Sequence, residues 1–224
     1  MRKTIIIITT LIAVAVGLAS TAAFAFSGSK ESRLGTVELQ RQEWIARSAE
    51  PDLRVEVAEV GSRFVTDPDV VDAAGLPRRG NDFVTEGYVY QEGTLTCSEG
   101  VCDGVVYDAE GSPSPQFPDR VIGTWTCWGT HTEDAATTNS GTIVATTQQY
   151  DFGDELGDRS IVTTGYERVD DVPIQRAITG GTGTPNLSDG IATQNMGGLN
   201  NPELSVDEAP AFGVTLFVEF KSAN

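Results

Sequence analysis

The sequence predicts an all-β fold: an eight-stranded, mostly antiparallel β-barrel. After Pro51, short segments rich in β-branched and aromatic residues alternate with Gly, Pro, Asp and Asn clusters, and long helical periodicity is absent. Eight or nine such segments follow one another at even spacing, which fits an up-and-down barrel better than a two-sheet sandwich. The domain they define runs over residues 53–221.

Two segments precede it. Arg2 and Lys3 open an apolar stretch from Thr4 to Ala23 that ends in Ala23-Phe24-Ala25, a small-residue cleavage pattern, so residues 1–25 read as a secretory signal peptide. The apolar stretch is also about as long as the ~20 residues that span a bilayer, which leaves an uncleaved anchor as the competing reading. Both readings place the remaining chain outside the cytoplasm, secreted or extracytoplasmic. Residues 26–52 are polar; Glu38 to Arg47 offer a weak helical pattern through Leu39, Trp44 and Ile45, the mark of a tether or a short packing helix.

The strands are expected at Leu53–Val65, Asp82–Tyr90, Val105–Tyr107, Val121–Thr130, Gly141–Asp151, Ser160–Glu167, Arg176–Thr179, Gly190–Gln194 and Val214–Phe220. The turn clusters Gly75-Leu76-Pro77, Asp108–Pro118 and Gly180–Asn186 separate them. Period-two alternation assigns faces. In Val121–Thr130 one row holds Gly123, Trp125, Cys127 and Gly129, and the other is largely threonine. The glycines leave room for a bulky ring, so Trp125 and Cys127 are expected to point inward. Val214, Leu216, Val218 and Phe220 form a second apolar row. Asp82–Tyr90 is ambiguous: Phe83 and Val89 share one row, Glu86, Tyr88 and Tyr90 the other.

Charge bounds the partners. The chain carries 32 Asp and Glu against 15 Lys and Arg, a formal charge of −17, and loss of Arg2 and Lys3 with residues 1–25 makes it −19. Such self-repulsion disfavours nucleic acid and anionic lipid as partners, and no nucleic acid is expected. Scarce lysine with abundant acid suits a salt-adapted protein whose carboxylates are screened by cations, ordinary acidic solubility being the alternative. Cys97 and Cys102 bracket a short loop that a local disulfide would close. Cys127 stays free and buried or pairs with one of them, and three single pairings remain open. One histidine, His131, and no Cys-x-x-Cys pair give no basis for a metal, and no glycine-rich phosphate loop calls for a nucleotide or other cofactor. His131 follows a strand and reads as an exposed loop residue. Asp67-Pro68-Asp69 with Asp72 lacks the Gly and Glu of a calcium loop and reads as a solvated turn.

Four segments in order carry a resemblance. They are Gly80 to Tyr90 (GNDFVTEGYVY) with Gly93-Thr94-Leu95, Ile122 to Gly129 (IGTWTCWG), Tyr150-Asp151-Phe152-Gly153, and Arg176 to Gly183 (RAITGGTG) leading to Asp189-Gly190-Ile191-Ala192. Together they resemble the allene oxide cyclase-like and dirigent-like barrels, as a bacterial-type secreted member, over roughly Leu53 to Lys221. The resemblance implies an eight-stranded barrel with an apolar central cavity that positions a reactive hydrophobic guest, and a homotrimer. It departs from the dirigent pattern at Thr184–Asp189, where no arginine or aromatic residue stands. That departure counts against radical coupling.

Candidate residues follow from these rows. An inward Glu86 would have its pKa raised by desolvation and would serve as general acid or base with Tyr88, the alternative being a solvated strand glutamate. Phe83, Tyr90, Trp125 and Cys127 are the candidate ligand-binding wall. The first functional reading is a barrel that binds a small hydrophobic molecule. An isomerase or cyclase acting on a reactive lipid-like intermediate is the second, and a structural barrel filled by side chains is the third. Cavity volume separates the third from the other two.

Overall fold

The computed structural model describes residues 51–135, 143–168, 172–200, 205–206, 209–210 and 213–223. The signal segment and the Glu38–Arg47 helix lie outside them. Among the described residues there is no α-helix, and regular structure is strand apart from three short 3-10 turns. Nor is any helix there long and apolar enough to cross a membrane, a fact that does not bear on barrels.

Eight strands form a closed antiparallel barrel: β1 (Leu53–Glu59), β2 (Asp82–Gln91), β3 (Val121–His131), β4 (Ile143–Asp151), β5 (Ser160–Arg168), β6 (Ile174–Thr182), β7 (Gly190–Asn200) and β8 (Gly213–Ser222). Each strand pairs with the next in sequence, and β8 returns to β1 with Leu53 opposite Phe220 and Val57 opposite Leu216. The closed meander leaves no edge in the ring. The expected Val105–Tyr107 strand forms but stays outside the barrel, as a small hairpin with Pro113–Pro115.

Inward positions follow the two-residue period. At the end where β1 begins they are filled: Val55, Val89, Tyr150, Ile161, Ile178, Ala192, Val218 and Phe220 are all buried there. The Tyr150 and Phe220 rings meet edge to face at 4.9 Å, and Leu187, from the turn Pro185–Leu187, closes the layer. A second core lies outside the barrel, where residues 92–120 cover β1 and β2. It contains Ala58, Val60, Tyr90, Leu95 and Val105. Glu56, on the outer row of β1, anchors that cover by accepting the backbone N–H groups of Gly93, Thr94 and Leu95 at 2.6–2.9 Å.

Cys97 and Cys102 are joined by a disulfide, with Cα atoms 4.1 Å apart, and Cys127 is free and buried. The bridged loop adds two short strands, and Val101 pairs in parallel with Leu199 of β7. The Gly-Gly-Thr-Gly segment differs from expectation: β6 runs through Thr182, and of the three glycines Gly183 alone has a positive φ, 61°. The Asp72 carboxylate caps its own turn through the N–H groups of Ala74 and Leu76, at 2.8 and 3.0 Å.

Candidate functional site

At the end where β1 finishes, the inward residues do not fill the barrel. They surround a cavity of about 230 Å³. Its apolar walls include Phe83 of β2, Trp125 of β3, Val144 of β4, Met196 of β7 and Leu216 of β8, with Phe64 near the mouth. Phe83 is the central wall ring, stacked on Phe64 at 5.3 Å and set edge-on to His131 at 5.5 Å. His131 is thus a buried wall residue at the end of β3, which corrects its reading as an exposed loop histidine. With no donor or acceptor bonded to either ring nitrogen, its pKa is lowered by burial, so the ring favours the neutral form.

Polar groups occupy the same cavity. Glu59 ends the inward row begun by Val55 and Val57, and one carboxylate oxygen accepts the Thr85 hydroxyl at 2.7 Å while the other accepts the Val214 N–H at 2.8 Å. Burial pushes its pKa up from the ordinary 4.5 to about 7; the two hydrogen bonds oppose that rise and the charge of Glu167 adds to it. Glu167 shares its row with Ile161, Thr163 and Gly165. Its Oε1 accepts the side-chain amides of Gln148 and Gln194 and lies 3.5 Å from Nη1 of Arg176.

Arg176 is fully buried, an uncommon place for a guanidinium. Its Nε donates to the Thr163 hydroxyl at 3.1 Å and its Nη2 to the Thr146 carbonyl at 3.2 Å. Gly165 makes room for it: a Cβ there would lie 3.3 Å from Arg176 Cγ. Beneath this layer the Tyr150 hydroxyl donates to Gln148, and burial raises its pKa. Burial likewise pushes the Cys127 thiol far up, with Glu167 adding to the shift, so the thiol is protonated and a poor nucleophile. Among the described residues no group of three His, Cys, Asp or Glu side chains gathers at metal-binding distance.

No family model matches the chain, and no curated protein matches it significantly. The site is therefore read from its geometry.

That geometry brings Phe83, Trp125 and Cys127 together on the cavity wall. Glu86, Tyr88 and Tyr90 are elsewhere. Glu86 is on the outer face, its carboxylate 3.3 Å from Arg63 Nη1. Tyr88 is also outside, with Arg63 over its ring at 5.8 Å and its hydroxyl donating to the Pro113 carbonyl. Tyr90 is buried in the outer core, bonded to the Gly104 carbonyl, and burial raises its pKa to about 12. Tyr90 continues the outer row of Glu86 and Tyr88, opposite Glu56 of β1, and the register shift beside it falls on the partner strand, where Ile122 is skipped. Glu59, His131, Glu167 and Arg176 are the polar residues the sequence reading did not place in the site. The available signal was charge in the wrong row: Glu59 continues Val55 and Val57, and Glu167 continues Ile161 and Thr163.

A second depression, about 470 Å³, lies at the filled end and is bordered by Asp52, Arg54, Glu92, Arg159 and Leu187. We favour the smaller cavity as the site, because it reaches the barrel interior and gathers buried polar groups against apolar walls.

Proposed function

We propose that this chain is an extracytoplasmic barrel of the allene oxide cyclase-like and dirigent-like type that binds one small, mainly apolar molecule in its central cavity. The observation that carries the reading is the cavity itself, with Phe83, Trp125, Val144, Met196 and Leu216 around a few converging polar groups. It counts against the filled structural barrel. Volume sets the size of the guest. A dry cavity of about 150 Å³ accepts benzene, so 230 Å³ corresponds to about nine non-hydrogen atoms. A long-chain lipid could place only one end there. The Cys97–Cys102 disulfide supports residence in an oxidising compartment.

Calorimetric titration with indole and with propylbenzene tests the reading. Saturable heat with either, and a raised melting temperature, is the expected result. Absence of binding by both at millimolar concentration, with no lipophile seen by native mass spectrometry of protein from its own source, would overturn it.

A second reading, an isomerase or cyclase, is favoured by Glu59 alone: a buried carboxyl with a pKa near 7 suits proton transfer at neutral pH. A substrate screen in which Glu59→Gln leaves the product distribution unchanged removes that role. For assembly, the paired residues Val84 and Trp128 stand 40% and 42% exposed on the outer face and support the homotrimer. Light scattering that gives a monomer at low and high salt removes it.

A further inference from the structure

We propose that the guest is a compact apolar amine, its ammonium group paired with Glu59. The inference rests on the binding reading above and deepens it by naming the polar end of the ligand.

The argument begins with charge. Two carboxylates, Glu59 and Glu167, line the cavity. Glu167 has a buried cation, Arg176, and two amide donors. Glu59, 7% exposed, has two neutral donors, and no ion pair to it is found among the described residues. The other groups around it do not supply the missing charge. Cys127 is a protonated thiol, Tyr150 a protonated phenol deeper in the barrel, and His131 a ring that burial keeps neutral. Arg176 is committed to Glu167, Thr163 and Thr146. Arg168 ends β5 at the rim. A carboxylate buried without a cation is expensive, and a bound ammonium would relieve the expense directly.

An unpaired acceptor points the same way. Gln194 turns its Nε2 toward Glu167, which leaves its buried Oε1 without a donor. A carboxylate and an amide carbonyl are both acceptors, and an ammonium offers three N–H donors. Phe83 and Trp125 also line the cavity, and aromatic rings accommodate a cation better than an anion. Glu59 has a pKa of about 7, and a neighbouring ammonium favours its ionised form.

Phenethylamine, 2-phenylethanol and propylbenzene match the cavity in size and one another in shape, and differ only in the terminal group. They are titrated calorimetrically into the full chain in 0.5 M NaCl, which screens the general attraction of an acidic surface for cations. At pH 8 the amine is expected to bind at least tenfold more tightly than the alcohol or the hydrocarbon. Its affinity should fall as pH drops below about 7, approaching tenfold per unit, because Glu59 then holds a proton that the amine has to displace. In Glu59→Gln the amine preference should vanish while alcohol and propylbenzene binding persist. In Glu86→Gln, which removes an outer carboxylate, it should remain.

Equal or better binding of the alcohol or hydrocarbon at pH 8 overturns the amine and leaves the binding reading standing. So does a preference that survives Glu59→Gln. Failure of all three ligands removes both. The pH series on the unaltered protein decides the matter even if the Glu59 variant does not fold.

Discussion

The two ends of this barrel are built on the same eight strands and differ in what their inward positions carry. At one end Tyr150, Ile161, Ile178, Phe220 and Leu187 interlock and leave no room. At the other the corresponding rows end in Glu59, His131 and Glu167, with Thr85 beside them, and the barrel stays hollow. Backbone topology does not distinguish them; side-chain volume and polarity do. The filled end gains from packing and apolar burial. The hollow end bears the cost of a carboxyl held away from water and of a buried ion pair, of the kind that proteins retain where specificity or chemistry is at stake.

The largest expected effect tests whether stability resides at the filled end. Phe220→Ala removes a ring in contact with Tyr150 and should cost about 3–5 kcal/mol by denaturant unfolding. Met196→Ala, on a wall that already faces empty space, should cost well under half of that. Comparable losses at both sites would erase the contrast.

Next comes pH. The Glu59 pKa is raised on folding from 4.5 to about 7, so the native state keeps a proton that the unfolded chain releases in that window. Its contribution to stability is therefore greatest below about pH 4.5, declines between 4.5 and 7, and stays low above. The difference amounts to about 3 kcal/mol. Unfolding free energies of the wild type should drop by that much more than those of Glu59→Gln between pH 4.5 and 8. Parallel curves would mean that Glu59 is solvated in the folded protein.

A smaller effect is expected at the flank of the hollow end, where the disulfide loop pairs with β7. Replacing Cys97 and Cys102 together by serine opens a closed loop of about six residues, worth about 2 kcal/mol in the chain-entropy account. The measured loss should appear in melting temperature and leave the spectrum of a β-protein intact. The smallest effect belongs to Glu86→Gln. Its exposed pair with Arg63 should contribute under about 1 kcal/mol. A large loss there would move importance from the inside of the barrel to its outer surface.

The barrel was legible in the sequence because strands buried on one face announce themselves by residue type. The expected Val121–Thr130 is one residue shorter than β3, and Trp125 and Cys127 lie on the face that the alternation predicts. The polar half of the cavity was not legible. A glutamate at a strand end is ordinarily solvated, and nothing local to Glu59 or Glu167 says that the strand's last inward position opens on a cavity. Arg176 was hidden for a related reason: its partners Thr146, Thr163 and Glu167 lie on other strands and meet it only when the ring closes. Tyr90 and Phe83 do not share a ligand wall, because the unbroken two-residue period puts them on opposite faces of β2 and Tyr90 falls in the outer core.

The return of the last strand to the first bears on how the molecule is made. Every other barrel pairing joins neighbours in the chain and can form as the chain emerges, whereas Leu53 waits for Phe220. Until Gly213–Ser222 is in place, β1 and β7 each present an unpaired edge, and the row Val55, Val57, Val218 and Phe220 is incomplete. The period before closure is thus the time of greatest exposure to misassembly with other chains, and slow, late closure is the expected limit on folding rate.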